Sequence, residues 1–184
     1  SEENKLHESR ESLIDKLPDF YALTNPLSVK PKVRFYEGEE GIKQVMQDTL
    51  TSSATLLSWD SMDSWLNSTP NLQKFIREYA VMRVKQRIPV NIIALDTKTA
   101  RNYLLKDYPS LQKGNMTRKE TLLNVRWAST STPYFNNEIN VYDNKVSIVS
   151  LGKNEIFAII LESKEIAQIH KSIFQMSWDL LKKN

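Results

Sequence analysis

Polar and aromatic side chains stand together where this sequence leaves its apolar runs: Tyr36-Glu37, Trp59-Asp60 and Arg126-Trp127, then Asn136, Glu138, Asn140 and Asp143 within eight positions. Such groups suit a polyhydroxyl ligand. The ring covers the apolar C–H face of a sugar, while carboxylates and amides bond its hydroxyls. The candidate ligand-binding set is therefore Tyr36, Glu37, Trp59, Asp60, Arg126, Asn136, Glu138 and Asp143. Each also has a plainer reading. A Trp at a strand end often packs at the rim of a core, and Asp143-Asn144 is first a turn former. The four carboxylates in the set could equally supply an acid/base pair or hold a divalent metal.

The elements that must position these groups can be read from periodicity. Val33 to Tyr36 reads as a short strand broken at Glu37-Gly38, and Glu39 to Leu50 as a helix with Ile42, Val45, Met46 and Thr49 on one face. Ala54 to Trp59 is strand-like. Leu72 to Arg87 is the clearest helix, with Leu72, Phe75, Ile76, Tyr79 and Ala80 at core spacing. Ile88 to Leu95 is an unbroken apolar run, as in a strand covered on both faces. Thr97 to Lys106 reads as a further helix. This alternation predicts an α/β domain whose core is a parallel sheet.

The second half changes character. Asp107 to Lys119 is polar and reads as a surface loop, and Leu122 to Trp127 as a strand. Ile139–Tyr142 and Val146–Leu151 alternate around Asp143-Asn144, a hairpin signal. Glu155 to Leu161 follows as a third strand, antiparallel to its neighbour. Ser163 can cap a long final helix with two apolar stripes, one running Ile166, Ile169, Ile173, Met176, Leu180 and the other Phe174, Trp178, Leu181. So wide an apolar face calls for the sheet and a further partner, such as a second subunit. Ahead of all this, Leu6 to Leu17 reads as a helix ended by Pro18, and Tyr21 to Lys32 as a tether. The chain thus divides into a linker and dimerisation segment over 1–29 and a compact domain over 30–184.

Most catalytic templates fail. The chain has no Cys, only His7 and His170 as imidazoles, and four Gly in no phosphate-loop spacing. Glu39-Glu40 falls in a first helical turn, where the dipole favours acids. No metal site or cofactor is expected. The net charge of +3 is too small to argue for nucleic acid, although Asn71 to Lys106 holds eight basic and two acidic residues. Mean hydropathy is −0.46, no apolar run approaches the roughly 20 residues of a membrane span, and Ser1-Glu2-Glu3-Asn4-Lys5 is no signal peptide. A cytoplasmic protein without membrane attachment is expected.

Four blocks carry a family resemblance. KPKVRFYEGEEGIKQVMQDTL (Lys30 to Leu50) resembles the opening of the C-terminal domain of TrmB-like transcriptional regulators. FIREYAVMRVKQRIPVNIIALD (Phe75 to Asp96) is similar to the helix–strand unit of phospholipase D-like domains. NNEINVYDNKVSIVSL (Asn136 to Leu151) resembles their strand–turn–strand, and ESKEIAQIHKSIFQMSW (Glu162 to Trp178) their closing helix. The resemblance spans about Lys30 to Lys183. It implies a phospholipase D-like mixed sheet flanked by helices, with an N-terminal linker helix. It further implies the effector-sensing half of a regulator: a homodimer that binds a small molecule such as a sugar. DNA would be contacted only through a winged-helix domain that this sequence lacks.

Active members of that superfamily carry HxKxxxxD. Aligned on Asp143, Asn136 stands at the nucleophilic His and Glu138 at the phosphate-binding Lys. Asn cannot form a phosphohistidine, and an ionised Glu repels phosphate. The resemblance therefore implies a non-catalytic domain whose pocket favours a neutral or cationic ligand. Two alternatives stand beside it: a protein-interaction module without ligand, and a diverged phosphodiesterase or other hydrolase.

Overall fold

The structure is a computed structural model, and it describes residues 30–108, 118–131, 137–152 and 155–181. The chain separates into two units, Ser1–Pro31 and Lys32–Asn184. The expected helix Leu6–Leu17 lies outside the described residues.

Strand β1 (Lys32–Glu37) runs into helix α1 (Gly38–Thr49). Gly38 takes φ +67 at this reversal, and a side chain at Gly41 would meet the Tyr36 backbone at 2.9 Å, so both positions need glycine. Then follow β2 (Leu56–Asp60), the short α2 (Met62–Leu66) and α3 (Pro70–Lys85). Thr69 accepts from the Leu72 amide at 3.4 Å and Pro70 occupies the first helical turn, which fixes where α3 begins. Next come β3 (Val90–Leu95) and α4 (Lys98–Asn102). β4 (Leu123–Ala128), β5 (Glu138–Tyr142), β6 (Lys145–Gly152) and β7 (Glu155–Glu162) precede the last helix, α5 (Lys164–Leu180), capped by Ser163.

The strands form one seven-stranded mixed sheet in the order β1-β7-β6-β5-β2-β3-β4. The parallel core is confined to β2, β3 and β4, and every other pairing is antiparallel. Here the structure corrects the expected β-α-β succession. β1 does not join the parallel strands but lies at the opposite edge, beside β7. Its composition gives the reason. Lys32 and Arg34 alternate with Val33 and Phe35, and its side chains are mostly exposed, as suits an edge, whereas β3 is apolar and buried almost throughout.

Helices α1 to α4 cover one face over the main core, from Ile42, Val45 and Met46 through Phe75 and Ile76 to Ile92, Val125 and Ile160. Among the described residues helix α5 covers the other, where Phe174 packs with Ile93, Leu95 and Ala128, and Ala167 with Val141 and Val146. The helix expected over Thr97–Lys106 is one α turn followed by a wider π turn, Tyr103–Asp107, which leaves Tyr103 and Leu104 buried. Among the described residues no helix is long and apolar enough to cross a membrane.

Candidate functional site

Residues of alternating strands on one face meet only their cross-strand neighbours, and that rule builds the site. β2 and β5 are antiparallel, with Trp59 opposite Ile139 and Ser58 opposite Asn140. One step further along the same register, Asp60 closes β2 where Glu138 opens β5. Two carboxylates therefore meet on the face under α2 and α3, both buried.

Their environments differ. Glu138 accepts from the Trp65 indole N–H and, at 2.7 Å, from the Asn140 amide. Short helix α2 brings Trp65 inward, where it is fully buried. Asp60 Oδ1 has no hydrogen-bond partner among the described residues, and neither has the Tyr103 hydroxyl beside it. Both line a cavity of about 40 Å³ with Glu138, Asn140, Met62 and Tyr108. That space holds one or a few water molecules, far short of the roughly 300 Å³ at which ligand pockets begin.

Burial pushes Asp60 well above the usual carboxylate range, and the nearby charges of Glu138 and Asp63 push it further. Burial also raises Glu138, but its bonds from Asn140 and Trp65 pull it back. Burial and the facing carboxylates favour the protonated form of Asp60, whereas the two donors on Glu138 favour its charged form. Arg83 supplies the opposite charge in the same interior. It is buried and donates to the carbonyls of Ile88 and Thr121 and to the Tyr108 hydroxyl at 3.0 Å.

Of the seven candidate residues that are described, only Asp60 and Glu138 come together. Trp59 and Arg126 project from the opposite face, since Trp59 lines up through Ile93 with Arg126 and their neighbours Asp60 and Trp127 align through Ala94. There Trp59 packs edge-on against Phe174 at 4.9 Å, and Arg126 lies over the Trp178 ring at 4.6 Å. Tyr36 is three strands from Glu138, about 14 Å across the sheet, and packs beside α1. Glu37 is exposed at the start of α1. Asp143 sits at the far end of β5 in the hairpin turn, at φ +44, where its carboxylate accepts from Ser53 Oγ at 2.7 Å and Ser53 N at 3.2 Å. Asn136 lies outside the described residues. Among those described, no group of three or more metal-ligating side chains is placed to hold an ion.

Sequence reasoning missed Trp65, Tyr103 and Arg83. The Arg83 signal was available, because it continues the apolar face Leu72, Phe75/Ile76, Tyr79/Ala80 by one more turn. A cation at a core position points to a buried partner rather than to a basic surface.

No protein-family model matches the sequence, and no curated protein sequence does either. Solved structures match it in shape. The archaeal chromatin protein TrmBL2, whose structure shows a novel mode of DNA binding, aligns over 99% of this chain at 14% identity and a TM-score of 0.54. This chain spans 66% of TrmBL2's length. Nuc from Salmonella typhimurium, a phospholipase D family member, aligns over 84% of this chain and 99% of its own at 14% identity and a TM-score of 0.57. NucT from Helicobacter pylori aligns over 84% and 100% at 12% identity and 0.52. The domain therefore has the phospholipase D-like fold, and TrmBL2 shares it.

Proposed function

We propose that this chain is the non-catalytic, effector-responsive domain of a transcriptional regulator similar to TrmB-like proteins. The observation that carries the reading is the state of Glu138, which stands where the phospholipase D resemblance puts the phosphate-binding lysine. It is a carboxyl group, buried and held by Trp65 and Asn140. A carboxylate there lacks the cation that would hold a phosphodiester, and among the described residues no histidine lines the cavity. Asp143 is committed to Ser53 a strand's length away. DNA contact, in this reading, belongs to a separate winged-helix domain; the shape shared with TrmBL2 supports that association.

The effector needs more room than the acid pair offers. An open depression of about 280 Å³ lies between the α2–α3 connection and the β6–β7 edge, lined by Asn67, Ser68, Thr69, Leu72, Leu151 and Ile156. An amide and hydroxyls over an apolar floor suit a monosaccharide in size and chemistry. Thermal unfolding against neutral sugars, sugar phosphates and divalent cations tests the reading. A ligand at a hundred times its Kd adds roughly 2.7 kcal/mol, several degrees for a domain of this size. A shift with a neutral sugar, lost in Asn67→Ala, is the expected result. Hydrolysis of bis(p-nitrophenyl) phosphate that disappears in Glu138→Gln would overturn it.

A second reading, an interaction module that binds no small molecule, is favoured by the near-filled acid-pair cavity. It takes over if no ligand of the panel shifts the midpoint.

A further inference from the structure

The acid pair stands in surroundings that are short of positive charge. Asp60 and Glu138 are both buried. After burial and Glu138, the charge of Asp63 in α2 is the third influence that raises Asp60. Among the described residues that line the cavity, Arg83 is the sole base. Its guanidinium donates to the Ile88 and Thr121 carbonyls and to the Tyr108 hydroxyl rather than to either acid. Three carboxyl groups thus share one region with an arginine whose donors are taken. Buried charge of one sign calls for a counter-charge, and either a proton or a bound cation supplies it.

The cavity has a gap of the right size for that cation. Asp60 is 5% exposed and Tyr103 2%, both line the cavity, and neither Asp60 Oδ1 nor Tyr103 Oη has a partner among the described residues. Burial raises the Tyr103 hydroxyl above its usual range, and the nearby Tyr108 and Asp60 raise it further. Yet no hydrogen bond joins Tyr103 to Asp60. One small body between them bonds both, and about 40 Å³ admits a body the size of water or ammonium. The lining favours a donor there. Ser58 pairs with Asn140 across β2 and β5, both border the same space, and Asn140 donates an amide N–H to Glu138 at 2.7 Å. Carboxylate and hydroxyl oxygens make the walls rich in acceptors. A divalent metal asks for more ligands, and Asp63 is held instead by the Thr97 hydroxyl at 2.6 Å. Among the described residues no group of three acids or imidazoles is placed to hold such an ion.

We propose that the space between Asp60, Glu138 and Tyr103 is a binding site for one small monovalent cation, ammonium or an ion of its size such as potassium. The cation replaces the proton on Asp60 and brings the charge that Arg83 does not. Ammonium offers four N–H donors, which suits the carboxylates and the tyrosine hydroxyl together. Once bound, it ties β2, β5 and the π turn to one another. A water molecule fills the same volume and bonds the same oxygens but carries no charge, and that is the difference to be measured. The site is separate from the open depression between the α2–α3 connection and the β6–β7 edge, so it does not depend on the domain binding an effector.

Thermal unfolding of the whole chain at about pH 8, in ammonium, potassium or choline chloride at equal ionic strength, tests it. Choline carries the same charge but is too large for the cavity. The expected result is a midpoint that rises saturably by several degrees with ammonium, less with potassium and not with choline. Asp60→Asn keeps the shape of the side chain and removes its charge, so it should raise the apparent dissociation constant about 10-fold or more. Tyr103→Phe loses only the hydroxyl and should raise it about 3-fold or more. Asn67→Ala, which tests the effector reading, should leave the response to cations unchanged. Equal midpoints in the three salts overturn the proposal and leave the gap to water and a proton. A rise undiminished in Asp60→Asn or in Tyr103→Phe overturns it as well, because the ion then binds elsewhere.

Discussion

On the face under α1 to α4, the sheet buries Asp60, Glu138, Asn140 and Arg83 among a dense apolar core. On the face under α5, it leaves Phe35, Val33 and one flank of the helix in water. Both depart from the usual partition, in opposite senses, and such departures are the informative ones. A buried acid pair with one unpartnered oxygen costs stability, so packing alone does not account for it. An apolar surface of several hundred Å² left in water is larger than scattered surface side chains account for. The first face buries polar groups with little room beside them; the second leaves apolar groups exposed.

The sharpest way to break that contrast is to disturb each face in turn. Trp65→Ala removes a fully buried indole from the first face and a donor from Glu138, and should cost about 3–5 kcal/mol in urea unfolding. Phe174→Ala under α5 should cost nearly as much, because Phe174 is as well buried as the main core. Equal stability of wild type and Phe174→Ala would mean that α5 is not seated on the sheet.

Two acids give effects of opposite sign. Asp48 in α1 is half-buried. Burial alone would raise it, but bonds from Lys145 and Tyr142, both at 2.7 Å, hold it below the usual carboxylate range. Asp48→Asn should therefore destabilise by about 1 kcal/mol at neutral pH. The stabilisation from Asp48 is present above its unfolded pKa and fades as pH falls through the lower folded value. Asp60 behaves in reverse. Its folded pKa lies above the unfolded one, so the folded state holds extra protons between the two values and stability declines as pH rises through that window, from about pH 4 upward. Asp60→Asn should flatten that decline and stabilise the domain by about 1–2 kcal/mol at alkaline pH. Loss of stability in Asp60→Asn would show that the unpartnered oxygen has a partner in solution.

The smallest effect is expected at Ile173. Ile173→Ala should change the unfolding free energy of the monomer by less than about 0.5 kcal/mol, since the side chain is half exposed. Measured at dilutions where the chain is monomeric, a larger loss would place Ile173 inside the fold rather than on its surface.

Local structure was open to reading from the sequence because its causes are local. The periodicity of α1 and α3, the Ser163 cap, the Asp143-Asn144 hairpin and the largely apolar β3 each follow from a few neighbouring residues. The sequence also carried a constraint that the pocket assignment passed over. Adjacent residues of a strand face opposite ways, so Trp59 with Asp60 could never share one pocket. Only the tertiary structure decided which strands would be neighbours. Asp60 meets Glu138 because β2 pairs with β5 rather than β1, and Trp65 reaches them because five residues too few to show a period happen to wind inward. Those choices rest on the register and burial of segments some 80 residues apart, where no short-range pattern reaches.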